Sequence, residues 1–222
     1  EAERKAQWKE EWPTYWEEIR IPGRKRRLIE KYKDQLENLY FYVFNKHYNQ
    51  AWKIRGTQMV DNIIKELVRD DIVGVANGRA EYGPRALGNR SLLADPRGDE
   101  IKDKVNQIKK RQKFRPFAPA ILEEDVHHYF AMPVRTSPYM QFVAKCKYPH
   151  EFPAIVHADG TSRVQTVCEK DNPGFYNLLK TWKDKTGCPM LLNTSLNIKG
   201  KPMVNNRFHA IKFEEKYNVK VV

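Results

Sequence analysis

Apolar positions recur at helical spacing in the first third of the chain. Between residues 28 and 52 they follow intervals of three and four, which is typical of an amphipathic helix. A second helix is predicted from Thr57, a suitable N-cap, to about Arg69, because its apolar positions fall on one side of a helix. The short, largely apolar run from Ile72 to Ala76 is closed by Asn77-Gly78, so it predicts a buried strand.

Beyond residue 78 the hydrophobic pattern alternates between helices and strands. Helices are predicted near residues 98–111, 123–130, 173–187 and 208–217. Strands are predicted around residues 117–122, 139–145, 154–157, 163–167, 189–193 and 219–222. The strands at 154–157 and 163–167 are predicted to pair around an Asp159-Gly160 turn. This mixture predicts a mixed α/β or α+β domain.

The length of the chain bounds its domain organisation. A chain of 222 residues with 41% hydrophobic residues can form one large domain, or one domain and an additional segment. We predict a charged, aromatic-rich helical segment or linker at residues 1–56 and a main domain at residues 57–222. The first segment is expected to bury its aromatic face against a neighbouring domain or subunit, a homodimer being one such arrangement. The alternative is an aromatic and basic surface for nucleic acid.

Composition excludes several classes of protein. The sequence contains no run of about 18 apolar residues, so no membrane span is expected. Its N-terminus lacks the apolar core of a signal peptide. Cys146, Cys168 and Cys188 are too far apart for a CxxC zinc site or a dense disulfide framework. We therefore predict a reduced, cytoplasmic protein.

Positive charge is concentrated in one part of the sequence. The chain has a net charge of +12, and residues 79–115 hold 11 basic and 5 acidic side chains, which is half of that excess. A basic chain indicates nucleic acid, an anionic membrane surface or a phosphorylated substrate as its partner. The concentration in a segment rich in Gly and Pro favours a localised binding site made of a loop and a helix.

Two clusters within this segment have the chemistry of anion binding. Residues 78–91 place three glycines beside Arg79, Arg85 and Arg90, and guanidinium groups bind phosphate or carboxylate oxygens bidentately. The segment has neither the Walker A ending nor the Rossmann spacing, so a structural turn with solvated arginines is the alternative. In the second cluster, residues 106–119, we expect Arg115 to be held rigidly by its Phe and Pro neighbours, as stabilising a transferring group requires. The alternative there is a solvated helix end.

Five motifs in register carry a resemblance to a known family. They are GRAEYGPRALGNRSLLADPR, NQIKKRQKFRPFAPAIL, SPYMQFV, VHADGTSRVQTV and LLNTSLNIKGKPMV, in this order along the chain. Together they resemble the C-terminal domain of carbamoyltransferases of the NodU/CmcH type, over roughly residues 57–222. The sequence departs from the family at Leu196, where Phe is common.

The resemblance implies a YrdC-like twisted sheet with flanking helices and an O-carbamoyltransferase function. Such a domain binds ATP and carbamoyl phosphate and forms carbamoyl adenylate, with Mg²⁺ expected beside ATP. A separate N-terminal Kae1-like domain, which holds iron, then passes the carbamoyl group to a hydroxyl-bearing small molecule. We expect that domain to be absent from this chain, the chain to be a fragment of a longer polypeptide, and carbamoyl transfer to need the missing part.

The resemblance also implies site residues. Arg85, Lys109, Arg115 and Arg163 fall where the family places carbamoyl phosphate and nucleotide contacts. Among them, Lys109, Arg115 and Arg163 are expected to be catalytic. The LNTSLN motif contributes the further expected site-lining residues Asn193, Ser195 and Asn197.

No metal site of the protein itself is predicted. Glu81 and Asp159 remain candidates for Mg²⁺ binding on chemical grounds, with a structural ion pair as the alternative for each. His157 is interpreted either as a structural residue or as a group that orients a phosphate or moves a proton.

Two other classes of function compete with the enzyme domain. One is a nucleic-acid-binding YrdC-like module, although we do not expect nucleic acid as the partner. The other is an inactive interaction or scaffold protein that keeps the fold. The presence of all four cations expected at the site favours the enzyme domain.

Overall fold

A computed structural model describes residues 56, 58–81, 83, 85–198 and 200–222. The helix predicted at residues 28–52, the aromatic-rich segment and the N-cap at Thr57 lie outside the described residues. The chain divides into two compact units, Glu1–Arg55 and Gly56–Val222. Among the described residues, no helix has the length and apolar character needed to cross a membrane.

The helices of the described part bury one face each. They are α1 at residues 58–70, α2 (Ile101–Ile108), α3 (Val126–Tyr129), α4 (Pro173–Thr186) and α5 (Arg207–Tyr217). Helix α4 has the ends that its sequence predicts. The Asn172 side chain accepts a hydrogen bond from the Phe175 N–H, and Gly187 follows the helix with a left-handed φ of 74°.

The strands form two sheets within the described residues. They are β1 (Ile72–Ala76), β2 (Arg90–Ala94), β3 (Ala118–Leu122), β4 (Phe130–Ala131), β5 (Val143–Cys146), β6 (Thr161–Arg163), β7 (Gln165–Val167) and β8 (Met190–Ser195). The larger sheet has the order β1-β2-β8-β3-β7, and among the pairs of these five strands β3–β7 is parallel and the others are antiparallel. The smaller sheet is antiparallel, in the order β4-β5-β6.

The C-terminal residues continue the larger sheet beyond β1. The Gly74 N–H donates to the Lys220 carbonyl and the Ala76 N–H donates to the Val222 carbonyl, each at 2.8 Å. The pairing is parallel. The strand predicted at residues 219–222 is therefore present as an extended segment that covers the β1 edge.

The chain changes sheet at Val164. Residues 163–167, predicted as one strand, are split into β6 in the smaller sheet and β7 in the larger one. The Val164 N–H donates to the Phe142 carbonyl, which fixes this crossing point. Arg163, the last residue of β6, thereby lies at the junction of the two sheets.

One strand predicted from the sequence is absent, and one strand of the structure was not predicted. Residues 154–157 do not form a strand but a series of turns, in which the Ile155 carbonyl accepts the Ser162 hydroxyl. The apolar character of this segment reflects burial of Ala154 and Ile155 in the core. Strand β2 was not predicted, because it starts inside the segment interpreted as a ligand loop and is buried along its whole length, so it shows no alternation.

Burial of the central strands supplies the core. β2, β3 and β8 carry fully buried aliphatic residues, and α4 packs against β3 and β8. Trp182 of α4 is buried beside them. The same core cluster includes Phe130, Ala144 and Cys146 of the smaller sheet, and each fully buried aliphatic side chain contributes about 1.5–3 kcal/mol to stability.

Candidate active site

A cleft of about 150 Å³ opens at the junction of the two sheets. Its charged wall consists of Arg85, Arg111 and Arg163. Residues 193–195 at the end of β8 supply polar groups, and Phe117 and Met140 supply apolar surface. These residues come from separate parts of the chain, so the cleft exists only in the folded domain.

The loop that carries Arg85 is fixed by a carboxylate. The Glu81 Oε1 atom accepts the backbone N–H groups of Leu87 and Asn89, both at 2.7 Å, and that of Arg90 at 3.3 Å. The Asn172 side chain donates to the Leu87 carbonyl at 2.9 Å. Glu81 thus holds the loop in place, and neither the magnesium site nor the ion pair considered for it is present in these contacts.

Arg90 serves the fold and does not face the cleft. Its side chain is 6% exposed and donates to five backbone carbonyls, those of Asn77, Gly78, Asn89, Val204 and Asn205. A guanidinium has five N–H groups, so all of them are satisfied within the protein. The sequence interpretation of Arg90 as a fork for a ligand is therefore wrong.

Arg111 faces the cleft, although the sequence analysis did not select it. Its guanidinium carbon lies 4.2 Å from the centre of the Phe117 ring, and its Nε donates to the Asn106 Oδ1 at 2.7 Å. Burial, together with repulsion from Arg115 and Arg163, lowers the pKa of Arg111 to about 10. The feature that could have indicated the position of Arg111 is Asn106, a polar residue buried in α2. Its side chain donates to the Lys113 and Arg115 carbonyls and so holds the turn after that helix.

Arg163 has a donor without a partner. Its Nε atom is buried and makes no hydrogen bond to the described residues. Burial lowers the pKa of Arg163, and repulsion from Arg85 acts in the same direction. Within the described part of the chain, neither Arg163 nor the other two cleft arginines pair with a carboxylate.

Lys109 contacts the wall of the cleft from the protein interior. Its ammonium is within hydrogen-bond distance of the Ser195 carbonyl (2.5 Å) and hydroxyl (3.2 Å) and of the Asn197 carbonyl (3.0 Å) and Oδ1 (2.9 Å). The side chain is buried, and this burial, with repulsion from Arg111, lowers the pKa of Lys109 to about 7. Lys109, Ser195 and Asn197 thus form one polar cluster, of which Ser195 lines the cleft.

Arg115 is placed differently from the expectation. Its side chain is exposed and does not line the cleft, and its neighbour Phe114 is 77% exposed. Of the two phenylalanines that flank Arg115, only Phe117 is buried, and the Arg115 carbonyl accepts a hydrogen bond from the Asn106 side chain at 2.8 Å, so the rigid setting of the Arg115 side chain stays a prediction. Arg115 still adds positive potential close to Arg111.

Asp159 and His157 belong to a turn. The Asp159 Oδ1 accepts both the N–H and the hydroxyl of Thr161, which lowers the pKa of Asp159. His157 is exposed, and its backbone N–H donates to the Thr161 carbonyl. Among the described residues, no group of three His, Cys, Asp or Glu side chains is arranged to hold a metal ion.

Comparison with known proteins identifies relatives of this domain. A family model described as the carbamoyltransferase C-terminus matches residues 64–222. Nodulation protein NolO of Bradyrhizobium diazoefficiens is 46% identical over 145 residues, which is 63% of this chain and 26% of that protein. The 3'-hydroxymethylcephem-O-carbamoyltransferase of Amycolatopsis lactamdurans is 39% identical over 145 residues, covering 65% and 28% of the two chains.

A solved structure shares the fold. Full-length HypF in its phosphate- and nucleotide-bound form superposes with a TM-score of 0.52 at 18% identity, over 73% of this chain and 24% of that one. This likeness in fold, with the two sheets and their flanking helices, confirms the predicted mixed α/β fold class. The chain spans about a quarter of the length of the curated relatives it matches.

The resemblance that the five motifs indicated is confirmed by these comparisons. The matched region holds the cleft and its arginines, and it extends over more than half of the chain. The chain belongs to the carbamoyltransferase C-terminus family.

Proposed function

We propose that this chain is the C-terminal domain of an O-carbamoyltransferase and that its cleft binds carbamoyl phosphate and ATP to form carbamoyl adenylate. Transfer of the carbamoyl group to a hydroxyl acceptor is assigned to a Kae1-like domain outside this chain. The family membership and the carbamoyltransferase activity named for one relative support the reaction class.

One observation carries the proposal. Arg85, Arg111 and Arg163 line one cleft, and none of them pairs with a carboxylate within the described residues. Burial lowers the pKa values of Arg111 and Arg163, and repulsion between neighbouring arginines lowers them in the same direction. A bound polyanion would remove this repulsion, so the arrangement favours a phosphorylated ligand.

The reaction can be written in two balanced steps. Water cleaves carbamoyl phosphate to carbamate and inorganic phosphate, with release of a proton. A carbamate oxygen then attacks the α-phosphorus of ATP, and the bond to the β-phosphate oxygen breaks to release pyrophosphate. The cleft arginines would bind the phosphate oxygens and stabilise the charge that develops on each leaving group.

The described residues do not offer a protein cage for Mg²⁺. The Glu81 Oε1 accepts backbone N–H groups and its Oε2 has no hydrogen-bond partner among these residues, while the Asp159 Oδ1 accepts from Thr161. No group of three His, Cys, Asp or Glu side chains in the described part is arranged to hold a metal ion. Mg²⁺ is therefore assigned to the ATP phosphates, where it would neutralise part of the charge, as it does in sites that bind the ion mainly through substrate oxygens.

Replacement of Arg163 by glutamine tests the proposal. Because the Arg163 Nε has no partner in the part of the chain that the structure describes, the change should leave thermal stability nearly unchanged. Loss of one charge-assisted contact should weaken binding of ATP or carbamoyl phosphate about 10- to 150-fold. Calorimetric titration with each ligand, and pyrophosphate release in the presence of both with Mg²⁺, are the measurements.

Arg69→Gln is the matched control for this experiment. It removes the same charge from an exposed arginine of α1 that pairs with Glu66 and Asp70, away from the cleft-lining residues. We expect wild-type affinity in this variant. Equal affinities in wild-type protein, Arg163→Gln and Arg69→Gln would show that the cleft does not bind these ligands.

A further inference from the structure

Asn193 is a buried polar residue in the wall of the cleft. It belongs to β8, is 1% exposed, and lines the cleft. Its Nδ2 donates to the Ala86 carbonyl at 3.0 Å and to the Gln165 Oε1 at 2.7 Å. Both hydrogens of the Asn193 amide group are therefore engaged within the protein.

These contacts fix the orientation of the Asn193 amide. A backbone carbonyl can only accept, so the atom that faces Ala86 must be the nitrogen and not the oxygen. The Oδ1 atom is then the remaining polar atom of the side chain. It is buried and has no donor among the described residues.

Among the described residues that line the cleft, two therefore have a buried polar atom without a hydrogen-bond partner. The acceptor is the Asn193 Oδ1, and the donor is the Arg163 Nε, which is buried without a partner in the same group of lining residues. A buried polar group without a partner is costly, so a ligand that satisfies both atoms gains affinity. Such a ligand must carry an N–H group as well as anionic or carbonyl oxygens.

We propose that the Asn193 Oδ1 accepts a hydrogen bond from the N–H of the carbamoyl group and thereby selects a carbamoyl donor over an acyl phosphate. This inference rests on the proposed function and adds a specificity-determining residue to it. The reason for selection is that an acyl phosphate of the same shape would place a methyl group against a buried acceptor and leave that acceptor unpaired.

Carbamoyl phosphate and acetyl phosphate form a matched pair of probes. They share the phosphate and the carbonyl, and they differ by an amino group in place of a methyl group. We expect wild-type protein to bind freshly prepared carbamoyl phosphate about 5- to 150-fold more tightly than acetyl phosphate, measured by calorimetric titration at one salt concentration.

Variants separate recognition from packing. Asn193→Leu keeps a similar volume but has no acceptor, so the affinity ratio of the two ligands should fall close to one. Gln165→Leu removes a partner of the Asn193 Nδ2 and leaves the Oδ1 in place, so the wild-type ratio should persist. If Asn193→Leu does not fold, the ratio of the wild-type affinities for carbamoyl phosphate and acetyl phosphate tests the inference alone.

The outcomes distinguish this inference from the proposed function. Equal affinity of wild-type protein for carbamoyl phosphate and acetyl phosphate would overturn the role of Asn193 and leave the anion-binding cleft intact. An unchanged ratio in a folded Asn193→Leu protein would do the same. Absence of binding of either ligand would overturn the proposed function and this inference together.

Discussion

Lys109 is a buried cation whose neighbours at its charged end are oxygen atoms of Ser195 and Asn197. An ammonium has three N–H groups, so four oxygens more than satisfy it. These contacts tie α2 and the turn after it to the end of β8, where the cleft is lined. Lys109 thus contacts the cleft wall through Ser195, and its expected contact with carbamoyl phosphate or the nucleotide stays a prediction.

Lys109 should make stability depend on pH. Burial lowers its pKa in the folded protein to about 7, whereas an unfolded lysine has a pKa of about 10.4. Between these values the unfolded chain binds more protons, so the free energy of unfolding rises with pH in this window. From pH 7 to pH 9, the free energy of unfolding of the wild-type protein should rise by about 2 kcal/mol more than that of Lys109→Met.

Denaturant unfolding of the two proteins at several pH values between 6 and 10 measures this difference. Other groups that titrate in the window are common to both chains, so subtracting one curve from the other isolates Lys109. Parallel curves would contradict the prediction and would mean that Lys109 stays charged throughout, held by its oxygen neighbours.

The element that positions Arg85 is the segment between β1 and β2. Glu81 accepts two of its backbone N–H groups and that of the first residue of β2, and the side chains of Asn172 and Asn193 donate to two of its carbonyls. Gly88 lies against the Phe175 ring of α4 with a φ of 120°. A loop fixed at so many points can present a guanidinium in one orientation at little further entropic cost on binding.

Gly88→Ala should disturb this element. An added Cβ would come within 2.9–3.2 Å of Phe175 atoms, and the φ of 120° is strained for any other residue. We expect a loss of about 2–4 kcal/mol in the free energy of unfolding, with weaker anion binding because Arg85 moves. Thermal or denaturant unfolding and ligand titration are the measurements.

Gly174→Ala serves as the comparison for that variant. Its added Cβ would meet no atom within 4 Å, and it lies in the first turn of the same helix, α4. Stability and affinity should both stay at or slightly above the wild-type level, since alanine favours a helix. Similar losses in both variants would mean that the effect is not specific to the Gly88 contact.

At the scale of the whole molecule, the net charge of +12 does not by itself define a binding site. Half of the excess lies in residues 79–115, yet the structure uses those cations in different ways. Arg90 is bound to carbonyls, Lys109 to Ser195 and Asn197, and Arg111 faces the cleft. Net charge alone therefore overstates the number of cations available to a ligand.

Salt dependence distinguishes a nucleotide site from a nucleic-acid surface. We expect Arg163→Gln to weaken ATP binding strongly. Any binding of a duplex oligonucleotide should be weak, and the slope of its log affinity against log salt concentration should change by at most about one in this variant. Fluorescence anisotropy at several salt concentrations measures both. Tight oligonucleotide binding with a steep salt slope, unchanged in the variant, would favour the nucleic-acid module.

Local sequence signals predicted most of the elements. The ends of α4 follow from Asn172 and Gly187, because a cap and a left-handed glycine act within one turn. Prediction failed where tertiary contacts prevail. Strand β2 is buried on both faces, so its sequence shows no alternation of apolar and polar residues. The apolar run at residues 154–157 lies in turns, where the Ile155 carbonyl accepts the hydroxyl of Ser162.

By itself, the sequence determined the family, the fold class and the presence of an excess of arginines near the first two motifs. Only the tertiary structure decided which of these cations share a cleft. Arg85 and Arg163 meet because the chain changes sheet at Val164, and Arg111 rather than Arg115 joins them because Asn106 and Phe117 hold it there. Spacing along the chain defines local geometry, whereas convergence of distant residues depends on how the sheets pack.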